Sequence, residues 1–375
     1  LFSNENLFKE NSVLSFGKLR ASYGITGSDN IGDYRFLDTY STTSFEYNGI
    51  STLKPTGIFN PLLAWEENKK LEAALELGFF KDRILLNAAW YQNRSSNQLI
   101  GIPLAGTTGF NSIEGNFDAT VENTGFELDL STVNVQNKNF SWRTTFNITV
   151  PKNKLIKFEN IENSTFANRY RVGKSLNIVR FYQALGVNPD TGIYEFEDFN
   201  QDGVIDRIDD RQIIKDFTPK FYGGLGNSIS YKNLSLDFFF QFKKQLGYNH
   251  FREEALVGFR LNGPVELFNR WQEPGDITSI QRSGYLNPAN GLGTASVNQG
   301  ESNAAVTDAS FIRLRNISLT YRVPKNISRG IDLSVYLQGQ NLLTITGYKY
   351  RDPEQSGNHI LPPLRQITLG LNLGF

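Results

Sequence analysis

The stretch DFNQDGVIDRIDD, residues 198–210, has the residue types and the spacing of a calcium-binding loop. Calcium takes about six to eight oxygen ligands, and loops of this kind supply them from near-alternate positions around a glycine at the sharp turn. Gly203 stands at that turn here. The predicted ligands are five side chains and one backbone carbonyl, those of Asp198, Asn200, Asp202, Asp206 and Asp209 and the carbonyl of Val204. The spacing therefore predicts a structural calcium site.

Two features distinguish this loop from an EF-hand sensor. Asp209 stands where an EF-hand has a bidentate glutamate, so we expect a weaker site or a borrowed ligand, with Asp210 as the candidate. No helical pattern flanks the loop. Carboxylates at this density repel one another unless a cation neutralises them, which favours an ion over the alternative, an Asp/Asn-rich turn that binds nothing. A carboxylate-rich loop favours calcium, and magnesium is the second possibility.

Composition excludes several classes of protein. Lys plus Arg and Asp plus Glu are 38 each, and no local Lys/Arg cluster occurs, so we expect no nucleic-acid partner. Cysteine is absent, which excludes disulfides and thiolate sites. The two histidines, His250 and His359, lie far apart and lack the spacing of metal ligands. No nucleophile motif occurs and no two carboxylates are fixed at catalytic separation, so the sequence does not indicate an enzyme.

Alternation of apolar and polar residues dominates the rest of the chain and predicts β-strands. In RQITLGLNLGF, residues 365–375, every second residue is apolar. The same pattern predicts ten strands, at residues 14–27, 69–80, 83–99, 119–133, 138–158, 219–232, 233–247, 308–323, 330–343 and 364–375. In FIRLRNISLTY the alternation slips between Leu314 and Ile317, which predicts a bulge.

The connections between these strands are alternately short and long. The long excursions are residues 28–69, 101–118, 159–218, 248–307 and 344–363. A transmembrane antiparallel β-barrel predicts this alternation, with short periplasmic turns, long extracellular loops, an apolar face against membrane lipid and a polar lumen. Candidate lumen residues are Glu72, Glu76, Glu127, Asp129, Arg143 and Asp237, which line a substrate path or pair with a plug. A soluble two-sheet β-protein is the alternative.

Several segments, in order along the chain, resemble the SusC/RagA family of TonB-dependent outer-membrane transporters. They include LRASYGITG (19–27), NPLLAWE (60–66), VENTGFELDL (121–130), DFNQDGVID (198–206) and DASFIRLRNISLTYRVP (308–324). The chain also ends in Phe375, the residue that the resemblance implies for an outer-membrane insertion signal. The resemblance implies a 22-stranded barrel with an N-terminal plug, of the size class whose lumen is plugged. Residues 1–375 would then be the C-terminal portion, about ten strands, with the plug and the first strands absent.

The resemblance also implies a function. Family members lie in the outer membrane of Gram-negative, Bacteroidetes-like bacteria and import oligosaccharides or peptides under a SusD-like surface lipoprotein, with energy supplied through the TonB complex. The chain contains no methionine, so we expect a fragment or a processed product. The competing function is a secreted, soluble calcium-binding adhesin or carbohydrate-binding β-module. Trp271 is a weak substrate-binding candidate, either an aromatic platform for a sugar or part of the core of its own loop.

Overall fold

The computed structural model describes residues 2, 13–28, 34, 36–249, 251–254, 265–284, 291–349, 351–355 and 361–374. Ten strands form one antiparallel sheet in which each strand pairs with its neighbours in chain order. They are β1 (Leu14–Ser28), β2 (Glu66–Phe79), β3 (Ile84–Ser96), β4 (Ala119–Gln136), β5 (Phe140–Phe158), β6 (Phe221–Tyr231), β7 (Leu234–Lys244), β8 (Phe311–Arg322), β9 (Asp332–Thr346) and β10 (Gln366–Gly374). All ten predicted strands are confirmed, each to within three residues at either end. Three residues discussed above, His250, His359 and Phe375, lie outside the described residues.

The sheet has one apolar face and one polar face, because successive side chains of a strand point to opposite sides. On β10, Ile367, Leu369 and Leu371 are 73%, 74% and 64% exposed, so none of the described residues covers the apolar face there. On the polar face, Arg20 of β1 donates from Nε to Glu76 at 2.6 Å and from Nη1 to Glu72 at 3.4 Å. One face of the sheet therefore suits an apolar environment, and the other suits water.

The predicted bulge is present in β8. The pairing of β7 with β8 shifts between Phe239 and Phe240, which leaves Arg315 as the extra residue on β8. On the other side of β8, Asn341 and Leu342 of β9 stand opposite Arg315, so the pairing with β9 shifts at the same place. Arg315 Nε donates to Gln241 of β7 at 2.5 Å, and its Nη2 donates to Glu354. The slip in the alternation thus marks the place where a second arginine is added to the polar face beside Arg313.

The described parts of the long excursions contain secondary structure of their own, with five two-stranded pairings, two short α-helices and several single-turn 3-10 helices. The pairs are Tyr40–Tyr47 with Ile50–Pro55, Gln98–Pro103 with Ser112–Phe117, Ile178–Phe181 with Ile213–Asp216, Ala184–Val187 with Tyr194–Phe196, and Leu246–Tyr248 with Val306–Asp308. The α-helices are Phe251–Glu254 and Leu292–Gly300. The sequence predicted neither helix. The second, LGTASVNQG, contains several weak helix formers and ends in glycine, so its helical propensity is low. Six of its nine residues are buried, and this burial stabilises the helix. No helix among the described residues is long and apolar enough to cross a membrane.

Candidate functional site

Two excursions, the one between β5 and β6 and the one between β7 and β8, are joined into a single body, here called the joined loops (the described residues of 159–220 and 245–310). The Tyr182 N–H donates to the Glu301 carbonyl at 3.1 Å, and the Asn303 N–H donates to the Tyr182 carbonyl at 2.9 Å. A parallel bridge pairs Tyr182 with Ser302. The connection is therefore made through the backbone, between residues that are far apart in the sequence.

An apolar core supports this connection, formed by Tyr182, Tyr194, Phe196 and Ala295. Tyr182 and Phe196 pack with their ring centroids 5.8 Å apart. Burial raises the pKa of Tyr194 to about 12, because the charged phenolate would lose its hydration in this core. The joined loops thus have a hydrophobic core of their own, apart from the sheet.

The predicted calcium loop lies in the joined loops and holds its shape through backbone N–H groups. Asp198 accepts from the Gln201 N–H at 2.7 Å and from the Gly203 N–H at 2.8 Å. Asp206 Oδ1 accepts from the N–H groups of Ile208 and Asp209 at 2.8 and 2.9 Å. Gly203 has φ +82°, the left-handed conformation that the sharp turn requires. The turn expected from the sequence is therefore present.

Asp210, rather than Asp209, points into the loop. Asp210 is fully buried, and its two oxygens accept from the N–H groups of Phe199 and Asp206, each at 2.8 Å. Asp209 is exposed, and its carbonyl accepts from Gln212 Nε2 at 2.6 Å. Within the described residues no group of three or more acidic, His or Cys side chains is arranged to hold a metal ion. Carboxylates are the ligand type that calcium prefers, but these carboxylates accept from backbone N–H groups and do not converge on one point. Calcium binding stays a prediction.

Trp271 is an internal anchor of the joined loops. It is 8% exposed, and its indole N–H donates to the Pro189 carbonyl at 2.8 Å. Its ring lies against Gly192, which has φ +69° and whose carbonyl accepts from the Arg282 N–H at 2.8 Å. Trp271 therefore packs in the interior of the joined loops. Binding of a sugar by Trp271 stays a prediction.

The register of the sheet places all six candidate lumen residues on the polar face. Glu72 of β2 is opposite Tyr91 of β3, and Glu127 of β4 is opposite Ala89 of β3. Tyr91 and Ala89 are two residues apart on β3, so they lie on the same face. Arg143 is opposite Ser228, which is in turn opposite Asp237. The candidates thus share one surface but are spread along it. Glu72 and Glu76 pair with Arg20, and Glu76 also pairs with Lys18 at 3.6 Å, whereas the other four candidates have no ion pair among the described residues.

A buried ion-pair network on the polar face was not predicted. Arg313 is 1% exposed and pairs with Asp352 and with Glu354, each at 2.5 Å. Arg315 also pairs with Glu354. The network fastens the excursion between β9 and β10 to β8. The sequence carried one signal of it, two arginines in RLR at alternate positions of a strand, both therefore on one face.

A sequence model of the family described as "TonB dependent receptor-like, beta-barrel" matches residues 12–342. The chain belongs to this family. The TonB-dependent receptor P3 of Formosa agariphila is 28% identical, over 100% of this chain and 41% of that protein. The TonB-dependent receptor SusC of Bacteroides thetaiotaomicron is also 28% identical, over 99% of this chain and 39% of that protein. The chain thus spans about two fifths of these relatives.

Solved structures agree with the assignment. This TonB-dependent receptor barrel is similar to a chain of the RagAB peptide transporter, with a TM-score of 0.83 and 25% identity, over 100% of this chain and 42% of that one. A RagAB peptide importer in the closed-closed state gives a TM-score of 0.82. The predicted fold, an antiparallel β-barrel, and the SusC/RagA resemblance are confirmed, as is the expectation that the chain is not an enzyme.

Proposed function

We propose that this chain is part of an outer-membrane transporter of the SusC/RagA type, which imports oligosaccharides or peptides with energy supplied through the TonB complex. The observation that carries the proposal is the sheet, which has an uncovered apolar face and a polar face, exemplified by Ile367 and Leu369 on one and Arg20 and Glu76 on the other. An apolar face of this kind is suited to lipid and a polar one to a water-filled lumen. The chain matches 41% of the TonB-dependent receptor P3, so a relative of this kind is long enough to contain a plug and further strands as well.

A partner and a location follow from the same proposal. The SusC/RagA membership supports a SusD-like surface lipoprotein above the joined loops, and the outer membrane of a Bacteroidetes-type bacterium as the site of action. The competing function, a secreted soluble module, is disfavoured because such a protein would expose leucine and isoleucine along whole strands to water. Contiguous apolar surfaces of that extent are rare on soluble monomers.

The proposal is tested by uptake in the bacterium that carries the gene. A deletion strain and its complemented strain are given fluorescent peptides and, separately, fluorescent neutral oligosaccharides. We expect uptake of one of the two cargo classes to be lost on deletion, restored on complementation and abolished by a protonophore. A chain that fractionates with secreted soluble protein without detergent, together with unchanged uptake, would support the secreted module instead.

We also propose that loop 198–210 binds calcium and thereby stiffens the joined loops. We expect a chelator to accelerate cleavage of this loop by a protease in the complete protein. The Asp202→Ala variant should be cleaved rapidly whether or not calcium is present, because it removes one ligand and the acceptor of the Val204 N–H at 2.8 Å. Asp190→Ala, in a neighbouring exposed turn, is the matched control. Equal cleavage of the wild type with calcium and with chelator would refute calcium binding.

A further inference from the structure

An open cavity of about 820 Å³ lies in the joined loops and is lined by four arginines, Arg169, Arg180, Arg207 and Arg211. None of the described residues that line it is an aspartate or a glutamate. Guanidinium groups present planar arrays of donors that match carboxylates in geometry. The cavity is therefore a concave surface of one charge sign, which concentrates ligands of the opposite sign.

Arg180 is the buried member of this set, at 9% exposed. Among the described residues its guanidinium donates to three neutral oxygens, the Arg211 carbonyl at 2.6 Å, Asn168 Oδ1 at 3.1 Å and the Ile208 carbonyl at 3.4 Å. Within the described part of the chain no carboxylate lies within ion-pair distance of it. Burial, and then the charges of Arg171 and Arg211, lower its pKa, and Asp209 opposes that effect. A buried charge in such surroundings is stabilised by an anion.

Arg207 and Arg211 share a single carboxylate, that of Glu301. Arg207 Nη2 lies 3.3 Å from Glu301 Oε2, and Arg211 Nη2 pairs with the same oxygen. The Arg211 guanidinium also lies over the Tyr182 ring, 4.9 Å from its centroid, and among the described residues its buried Nε has no acceptor. Two guanidinium groups thus share one carboxylate, so the wall of the cavity holds an excess of positive charge.

The other walls favour a peptide over a sugar. Phe217 and Tyr248 line the cavity, but they pack on each other with ring centroids 4.9 Å apart, and Arg252 covers the Tyr248 ring at 5.1 Å. One face of Phe217 and both faces of Tyr248 are thus engaged by neighbouring side chains, which leaves little aromatic surface among the described lining residues on which a pyranose ring could stack. Leu176 and Ile178 supply an aliphatic surface. Acidic groups carried on aliphatic side chains, as in glutamate-containing peptides, match both kinds of wall.

We propose that this cavity binds a carboxylate side chain of an acidic peptide, so that the transporter prefers acidic peptides as cargo. The inference rests on the proposed transport function and specifies its substrate class. Arg207 is 66% exposed at its side chain, so we expect its replacement to leave folding intact, whereas loss of the buried Arg180 should disturb the joined loops themselves. Arg207 is therefore the position at which the charge of the cavity can be changed cleanly.

The test uses the complete transporter, purified in detergent with its surface lipoprotein. Two synthetic peptides that differ only in Glu against Gln, and an oligogalacturonate with its methyl ester, are titrated by fluorescence anisotropy. We expect the wild type to bind the Glu peptide about ten-fold more tightly than the Gln peptide, since a charge-assisted pair of this kind supplies such a factor. Arg207→Glu should abolish the preference, and Glu301→Gln should strengthen it. Arg83→Gln, whose guanidinium binds backbone carbonyls of Val133 and Asn134, is the control that should retain it.

The outcomes separate this inference from the proposed function. Equal binding of the Glu and Gln peptides, with both imported in a TonB-dependent manner, would overturn the acidic cavity and leave the transporter in place. Preference for oligogalacturonate over both peptides would overturn the peptide assignment. A preference for the Glu peptide that Arg207→Glu leaves unchanged would place acidic recognition elsewhere in the complex and overturn the role of this cavity. Absence of binding and import for every probe would overturn both.

Discussion

Replacing Arg313 with alanine is expected to release the excursion between β9 and β10 from the polar face. Arg313 is 1% exposed, and its removal leaves Asp352 and Glu354 without their main partner, although Arg315 still reaches Glu354. Breaking a buried ion pair on one side costs about 3–5 kcal/mol, because the remaining charge is desolvated and uncompensated. We expect a comparable loss of local stability here. Hydrogen exchange of residues 347–355, measured by mass spectrometry on the complete protein in detergent, reports it.

The matched control for this prediction is Arg94→Ala. Arg94 also lies on the sheet and pairs with Glu122 at 2.6 Å, but its side chain is 50% exposed. Exposed pairs contribute about 0–1 kcal/mol, so exchange in the excursion should not change. If Arg313→Ala and Arg94→Ala gave the same small effect, the network would not be what holds the excursion in place.

Replacing Trp271 with alanine is the second substitution with a large expected effect. The side chain is 8% exposed and covers the turn at Gly192, so its loss leaves a cavity and removes the donor to Pro189. Truncation of a buried tryptophan costs about 3–5 kcal/mol. We expect faster hydrogen exchange in residues 188–194 and 271–282 and unchanged exchange in β10.

Two controls give this prediction its meaning. Trp271→Phe keeps a ring against Gly192 and loses only the hydrogen bond to Pro189, so it should cost about 1 kcal/mol. Trp65→Ala removes a tryptophan that is 68% exposed and should leave the joined loops unchanged. If Trp271→Ala left exchange unaltered but abolished binding of neutral oligosaccharides, Trp271 would be a sugar platform rather than an anchor.

The strands could be predicted from the sequence because a sheet between two unlike surroundings must alternate residue by residue. Even the slip between Leu314 and Ile317 was readable, since one extra residue reverses the phase. The joined loops were not predictable in this way. Tyr182 and Ser302 pair across 120 positions of sequence, and no local periodicity encodes such a contact.

The candidate sites likewise differ in how far local sequence could predict them. The turn at Gly203 follows from local spacing, and the structure contains it. The inward position of Asp210 depends on N–H groups of Phe199 and Asp206 that only the folded loop brings together. The arginine-lined cavity was missed because its members are spread over residues 169–211, so no short window of sequence contains a basic cluster.

The backbone connection between the joined loops limits how such a protein could acquire a new specificity by recombination. Transplanting only the first loop into a relative would leave the N–H and the carbonyl of Tyr182 without Glu301 and Asn303, and would take Arg207 and Arg211 away from Glu301. The hairpin of β6 and β7 lies between the two loops in the sequence. We therefore expect an exchange of residues 159–310 as one segment to preserve the contacts between the two loops, and an exchange of either loop alone to break them.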